Sequence, residues 1–204
     1  MEAIGAIKLE DWLKIFAMLG GLVAFIIAIA QYRSAELWKR VQFVGEAVRA
    51  MKSDGAFVNI CIMLDSASRE VRLFPERESV KDQYVTVSQQ SLARALRPYS
   101  DGDPFTETES RIRDNFDGFL DHLEQFQQFV KKRLVDVDSF RPLLAYVIDL
   151  IRHPSAELNV KGESALWHYI NEYGFLEARE FLVALGVPIP PAREVLVKYV
   201  ENDG

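Results

Sequence analysis

The chain has 204 residues, of which 49% are hydrophobic, with a formal net charge of −6 and a single cysteine. An acidic chain has no general attraction for nucleic acid, which sets nonspecific nucleic-acid binding aside. One cysteine excludes an internal disulfide and a cysteine-based zinc site. Cys61 lies in the apolar run Phe57 to Leu64 and reads as a small core residue in a reducing, cytoplasmic setting.

The first element in chain order is the uncharged stretch from Ile15 to Ala30. As a helix its residues rise about 24 Å, and Leu13 with a snorkelling Lys14 brings the stretch close to the ~30 Å of a bilayer core. Trp12 and Tyr32 bracket it where amphipathic aromatics prefer the membrane interface, and Arg33 follows at once. Ala28-Ile29-Ala30 has the small residues of a signal-cleavage site. Glu2, Glu10 and Asp11 nevertheless outnumber Lys8 and Lys14 before the run, whereas a signal peptide wants a basic start. The expected organisation is a short extracytoplasmic tail over 1–12, a retained single transmembrane helix over 13–32 and a helical cytoplasmic domain over 33–204. Arg33, Lys39, Arg40, Arg49 and Lys52 after the span, against Lys8 and Lys14 before it, predict that the carboxyl-terminal side faces the cytoplasm. Ala17, Gly20, Ala24 and Ala28 form a row of small residues on one face. Such rows let helices approach closely in lipid, so this face is the expected packing surface of a homo-oligomer.

Ser34 to Ser53 keeps helical rhythm through Leu37, Val41, Val44, Val48 and Met51, and no Gly or Pro separates Ala30 from Val44. One long rod is predicted, ending at Ser53-Asp54-Gly55. Ala56 to Phe74 reads as the next helix, stopped by Pro75. A polar loop over 75–82, a short extended piece over 84–87 and a helix from Ser88 to Arg97 follow, then a loop through Ser100-Asp101-Gly102-Asp103-Pro104. The clearest pattern is Phe105 to Leu134. Thr106 and Glu109 match a capping box, and Ile112, Phe116, Phe119, Leu123, Phe126 and Val130 recur at steps of four and three. A helix over 139–152 is expected to cover this stripe. Three further helices are predicted: Gly162 to Tyr173 closed by Gly174, Leu176 to Leu185 closed by Gly186, and Pro191 to Val200. The expected class is all-α, a helical bundle on a membrane stalk.

No P-loop, dinucleotide-binding, hydrolase-elbow or HExxH pattern occurs in the chain. Helical ribonucleases carry an Arg with a His five to seven positions later, and Arg113 with His122 does not meet that spacing. His122, His153 and His168 therefore read as structural or solvent-facing. Asp114, Asp117, Asp121 and Glu124 share a helix face and read as a solvated line. Arg69, Arg72, Arg77 and Lys81 cluster around Phe74-Pro75 and are the candidate site for an anionic ligand, with Glu70, Glu76, Glu78 and Asp82 interleaved. No catalytic residue, metal site or cofactor is predicted.

Asn115-Phe116-Asp117-Gly118-Phe119-Leu120 leading through Leu123-Glu124-Gln125-Phe126, together with the juxtamembrane Glu36-Leu37-Trp38, resembles a group of uncharacterised bacterial proteins. These have one amino-terminal membrane helix and a helical domain of unknown function. By analogy, similar small membrane proteins serve as accessory or effector subunits of bacterial antiviral systems. The resemblance implies architecture and no established activity. The small-residue face of the span, the unbroken helix below it and the lack of a catalytic motif favour a non-enzymatic, inner-membrane oligomer that transmits or executes a signal, in one form a pore-forming or membrane-perturbing effector. The alternatives are a membrane-tethered adaptor that binds a protein partner, and a divergent membrane-bound hydrolase or nuclease.

Overall fold

A computed structural model describes residues 9–66, 68–152 and 160–188 of the chain. It divides into two units, Met1–Phe43 and Val44–Gly204. Among the described residues there are seven α-helices and one two-stranded antiparallel sheet, so the protein is mostly helical, as its patterning predicts.

The first unit is the greater part of helix α1, Leu9–Ser53. The helix is unbroken through Gln31–Val44, where the sequence has neither Gly nor Pro. It includes an 18-residue window apolar enough to cross a membrane, no part of which is buried. The predicted tail over 1–12 is helical from Leu9 onward, and residues 1–8 lie outside the described residues.

The second unit begins inside α1, where Val44, Val48 and Met51 enter a hydrophobic core. α2 spans Gly55–Asp65, capped by Asp54, whose Oδ1 accepts the backbone N–H of Ala56 at 2.9 Å. Here the structure corrects the expected helix over 56–74. The chain leaves the helix at Ser66, and Ser68–Arg72 forms strand β1, paired antiparallel with β2, Tyr84–Ser88, in the register Ser68↔Ser88 to Arg72↔Tyr84. Ile60, Leu64 and Val71 satisfy a helical period, but two serines at 66 and 68 weaken the helix, and a β-branched partner strand can pair with the segment. Val71 and Val87 then point into the core. Buried Gln83 holds the long connection between the strands. It accepts from Arg72 Nε at 2.8 Å and donates to the carbonyl of Arg77 at 2.7 Å.

α3, Gln89–Ala95, leads into α4, Glu107–Lys131, the central helix. The predicted capping box is present. Thr106 Oγ1 accepts from Glu109 N at 3.2 Å, and Glu109 Oε2 accepts from Thr106 N at 2.9 Å, an arrangement worth about 1 kcal/mol. Ile112, Phe116, Phe119, Leu120, Leu123 and Phe126 are buried, each contributing about 1.5–3 kcal/mol relative to exposure.

The expected cover for this stripe was the next helix, α5, Arg141–Arg152. Instead α4 packs chiefly against α7, Leu176–Ala184, and α2, with α3 beside them. The physical reason lies in the aromatic side chains. Phe181 of α7 meets the Phe126 ring at 5.8 Å and that of Phe140 at 5.2 Å, while Phe57 of α2 lies 6.3 Å from Phe119. α6, Val160–Glu172, packs against α3 and α7.

Two helices, α4 and α7, end with the same pair of hydrogen bonds, and α6 shows the longer member of that pair. The N–H groups of Arg133 and Leu134 reach the carbonyls of Val130 and Phe129 after α4. Phe175 reaches Ile170 after α6, and Gly186 and Val187 reach Val183 and Leu182 after α7. Gly174 and Gly186 take the left-handed position at φ 76° and 82°, as their placement predicts, and Arg133 takes it at φ 56°. The predicted helix Pro191 to Val200 lies outside the described residues.

Candidate functional site

Three features of the sequence reading fall on described residues: the apolar helix with its small-residue row, the basic cluster and the acidic line. On α1, Ala17, Gly20, Ala24 and Ala28 are all exposed, and a Cβ added at Gly20 would meet nothing within 4 Å. The bulky residues on the other faces are equally uncovered, from Leu13 through Phe16, Leu22 and Phe25 to Ile29. Among its described residues this run is apolar on all sides, and the helix is long and apolar enough to cross a membrane. Trp12, Lys14, Tyr32 and Arg33 are exposed at its ends, with the Trp12 and Phe16 rings 6.1 Å apart.

The basic cluster is dispersed. Arg69 lies 3.7 Å from Asp65, Arg72 is committed to Gln83, and Arg77 bonds Glu107 Oε2 at 2.8 Å while its guanidinium stacks 3.7 Å over the Phe74 ring. Lys81 is exposed. The carboxylates that pair with Arg69 and Arg77 belong to Asp65 and Glu107, outside the cluster, and Arg77 also donates to the backbone carbonyl of Asp82 at 3.3 Å.

The acidic line divides too. Asp114 and Asp121 face solvent, whereas Asp117 accepts a hydrogen bond from the hydroxyl of Tyr169 on α6. Among the described residues no three His, Cys, Asp or Glu side chains are arranged to hold a metal ion. His122 Nε2 lies 3.5 Å from Asp54 Oδ2, and His153 falls outside the described residues. Half-buried Cys61 has its thiol pushed up to about 11, mainly by burial, so it stays protonated at neutral pH.

Two features went unrecognised in the sequence. The first is a polar cluster on α4 built from Glu109, Arg113 and Asp117, residues spaced four apart that share a face. Buried Arg113 donates from Nη1 to the carbonyls of Ala95 and Arg97 at 3.0 Å each. Its guanidinium lies 4.5–5.1 Å from the rings of Tyr99, Phe105, Tyr169 and Tyr173. Glu109 pairs with Arg94 at 3.1 Å and Arg97 at 3.4 Å. Burial raises the Glu109 carboxyl, but the Thr106 N–H and the two arginines more than offset that and leave it below its usual value. Burial dominates at Asp117 and holds that carboxyl above the usual value despite Tyr169 and Arg113. The sequence signal was the spacing of Glu109, Arg113 and Asp117 together with Tyr169 and Tyr173 one turn apart.

The second is a groove of about 670 Å³ walled by the start of α2, the hairpin and the first half of α4. Val58, Ile62, Leu73 and Tyr84 give it apolar surface, and Arg72, Arg111, Glu70 and Asp114 stand in its wall. Asn59 fixes the floor by donating to Asn115 Oδ1 at 2.9 Å and to the Arg72 carbonyl at 3.1 Å. Arg111 is held by Glu76.

No protein-family model, curated protein or solved structure matches the chain.

Proposed function

We propose that this chain is a non-enzymatic protein of the inner membrane, held by the single span 13–32 with its helical domain in the cytoplasm, and that copies assemble through the face formed by Ala17, Gly20, Ala24 and Ala28. The protein then transmits or executes a signal at the membrane, in its strongest form by perturbing the bilayer. The observation that carries this reading is the uncovered apolar run in the first part of α1, which in water would be a large exposed patch. The excess of Lys and Arg beyond the span supports the orientation. Replacing Gly20, Ala24 and Ala28 together by Ile tests the assembly step. The mass of the detergent-solubilised complex is expected to fall, and an unchanged mass removes the span from the assembly.

A second reading, a membrane-tethered adaptor, is favoured by the groove between α2, the hairpin and α4, which offers a mostly apolar surface to a protein partner. Exchanging the span for an unrelated transmembrane helix separates the two. An adaptor keeps its function after the exchange, and a protein that works through its own span loses it.

A further inference from the structure

The first turns of α1 beyond the apolar run carry a recess of their own. Tyr32, Arg33, Glu36, Leu37 and Arg40 line a shallow groove of about 290 Å³ on one face of the helix. Arg33 and Arg40 are two turns apart, about 10.5 Å along the axis, with Leu37 between them. Side chains on a helix lean toward its amino terminus, here toward the apolar run, so Arg40 leans back toward Leu37, and the stems of both arginines line the recess. Arg33 has no ion-pair partner among the described residues. Arg40 has Glu36 at 4.0 Å, the outer limit of an ion pair, with about half of each side chain exposed.

The depth of this recess follows from the span, so the inference rests on the membrane reading above. Leu13 to Tyr32 is about 30 Å of helix and uses up the hydrocarbon thickness. Arg33 to Arg40 therefore occupies the layer of phosphates and glycerols. Two exposed aromatics with polar atoms, Tyr32 at 70% and Trp38 at 72%, mark the same layer, which is where such side chains prefer to sit. Exposed Leu37 gives the recess an apolar floor, and Arg33, Lys39 and Arg40 outnumber Glu36. Guanidinium groups bind phosphate oxygens through paired N–H donors.

We infer that Arg33 and Arg40 form a binding site for the headgroup phosphate of an anionic phospholipid, with Leu37 against its glycerol and upper acyl carbons and Glu36 opposing a second negative charge.

The test uses the full chain in bilayer nanodiscs of phosphatidylcholine containing a minority of phosphatidylglycerol, with the lipid retained on the protein counted by native mass spectrometry after gentle detergent extraction. Wild-type protein is expected to retain phosphatidylglycerol in preference to phosphatidylcholine. Each of Arg33→Gln and Arg40→Gln should lower that preference about fivefold, and the double variant should abolish it. Glu36→Gln should raise it, and Lys132→Gln, an exposed lysine remote in sequence, should leave it unchanged. Excess inorganic phosphate should not displace the lipid; displacement would assign the arginines to a free anion and overturn the lipid site. An integrated wild-type protein without lipid preference, or a double variant that keeps it, also overturns the site and leaves the anchor standing. A chain that stays in solution when detergent is removed overturns the anchor and the lipid site together.

Discussion

Tyr169 of α6 donates its hydroxyl hydrogen bond to the half-buried carboxylate of Asp117 on α4, while the Arg113 guanidinium lies 4.8 Å from the Tyr169 ring. Burial raises the Asp117 carboxyl, so the fold favours its protonated form. That contribution is complete below the ordinary value of 3.8 and is lost as the pH rises through the higher value in the fold. Asp117→Asn, which keeps an acceptor for Tyr169, is expected to match or exceed wild-type stability at pH 7. Tyr169→Phe leaves the carboxylate without its donor and should cost about 1–3 kcal/mol. Thermal unfolding of the full chain in detergent, followed by far-UV circular dichroism at pH 7, checks both.

Glu109 responds in the opposite sense. Its carboxyl lies below the ordinary 4.5, so its stabilisation is present above that value and is lost as the pH falls through the lower one in the fold. Glu109→Gln keeps the capping geometry but loses the charge that faces Arg94 and Arg97. The expected cost at pH 7 is about 1–3 kcal/mol, with a shallower decline of Tm between about pH 5 and pH 3 than in wild type. A Tm series across that range measures the slope.

Arg113 joins the end of α3 and the aromatics Tyr99, Phe105, Tyr169 and Tyr173 to α4. Arg113→Met leaves the carbonyls of Ala95 and Arg97 without this donor and is expected to lower stability by about 2–4 kcal/mol. Arg113→Lys should recover only part of the loss, because an ammonium cannot stack as a plane while bonding two carbonyls. Unfolding of the two variants side by side distinguishes charge from shape.

The helix ends give a pair of opposite expectations. Arg133 occupies a left-handed position, and Arg133→Gly is expected to stabilise by about 0.5–1 kcal/mol. Gly186 needs its glycine twice over. Its φ is 82°, and an added Cβ would lie 2.6 Å from Arg152 Nη2, which bonds the Leu185 carbonyl at 2.8 Å beside Arg141. Gly186→Ala should cost about 1–2 kcal/mol by strain and by displacing that guanidinium. The two shifts in Tm should have opposite signs.

Much of the helical framework was legible because its signals are local. The capping box at Thr106 and Glu109 and the helix stops at Gly174 and Gly186 depend on residues within one turn of each other, and they appear in the structure where the sequence places them. Residues 68–72 depart from the helix their sequence predicts for a reason of the same kind. Val71 fits a helical stripe by period alone, and only its pairing with Val85 makes it a strand residue. The basic cluster looked like one site in the sequence, yet Arg69, Arg72 and Arg77 each find a separate partner. The groove on α4 had no sequence signal, because its walls come from residues 54 to 118 and none is unusual in its own neighbourhood.

By itself the sequence determined that the protein is mostly helical, that one helix near its amino terminus is long and apolar enough to cross a membrane, and that α4 has one deeply apolar face. Each follows from hydrophobicity and spacing along a single segment. Only the tertiary structure decided that α7 and α2, not α5, cover α4, that a hairpin interrupts the helices, and that Arg113 is buried among four aromatic rings. Those outcomes depend on side chains far apart in the chain, whose packing and hydrogen bonding no local pattern encodes.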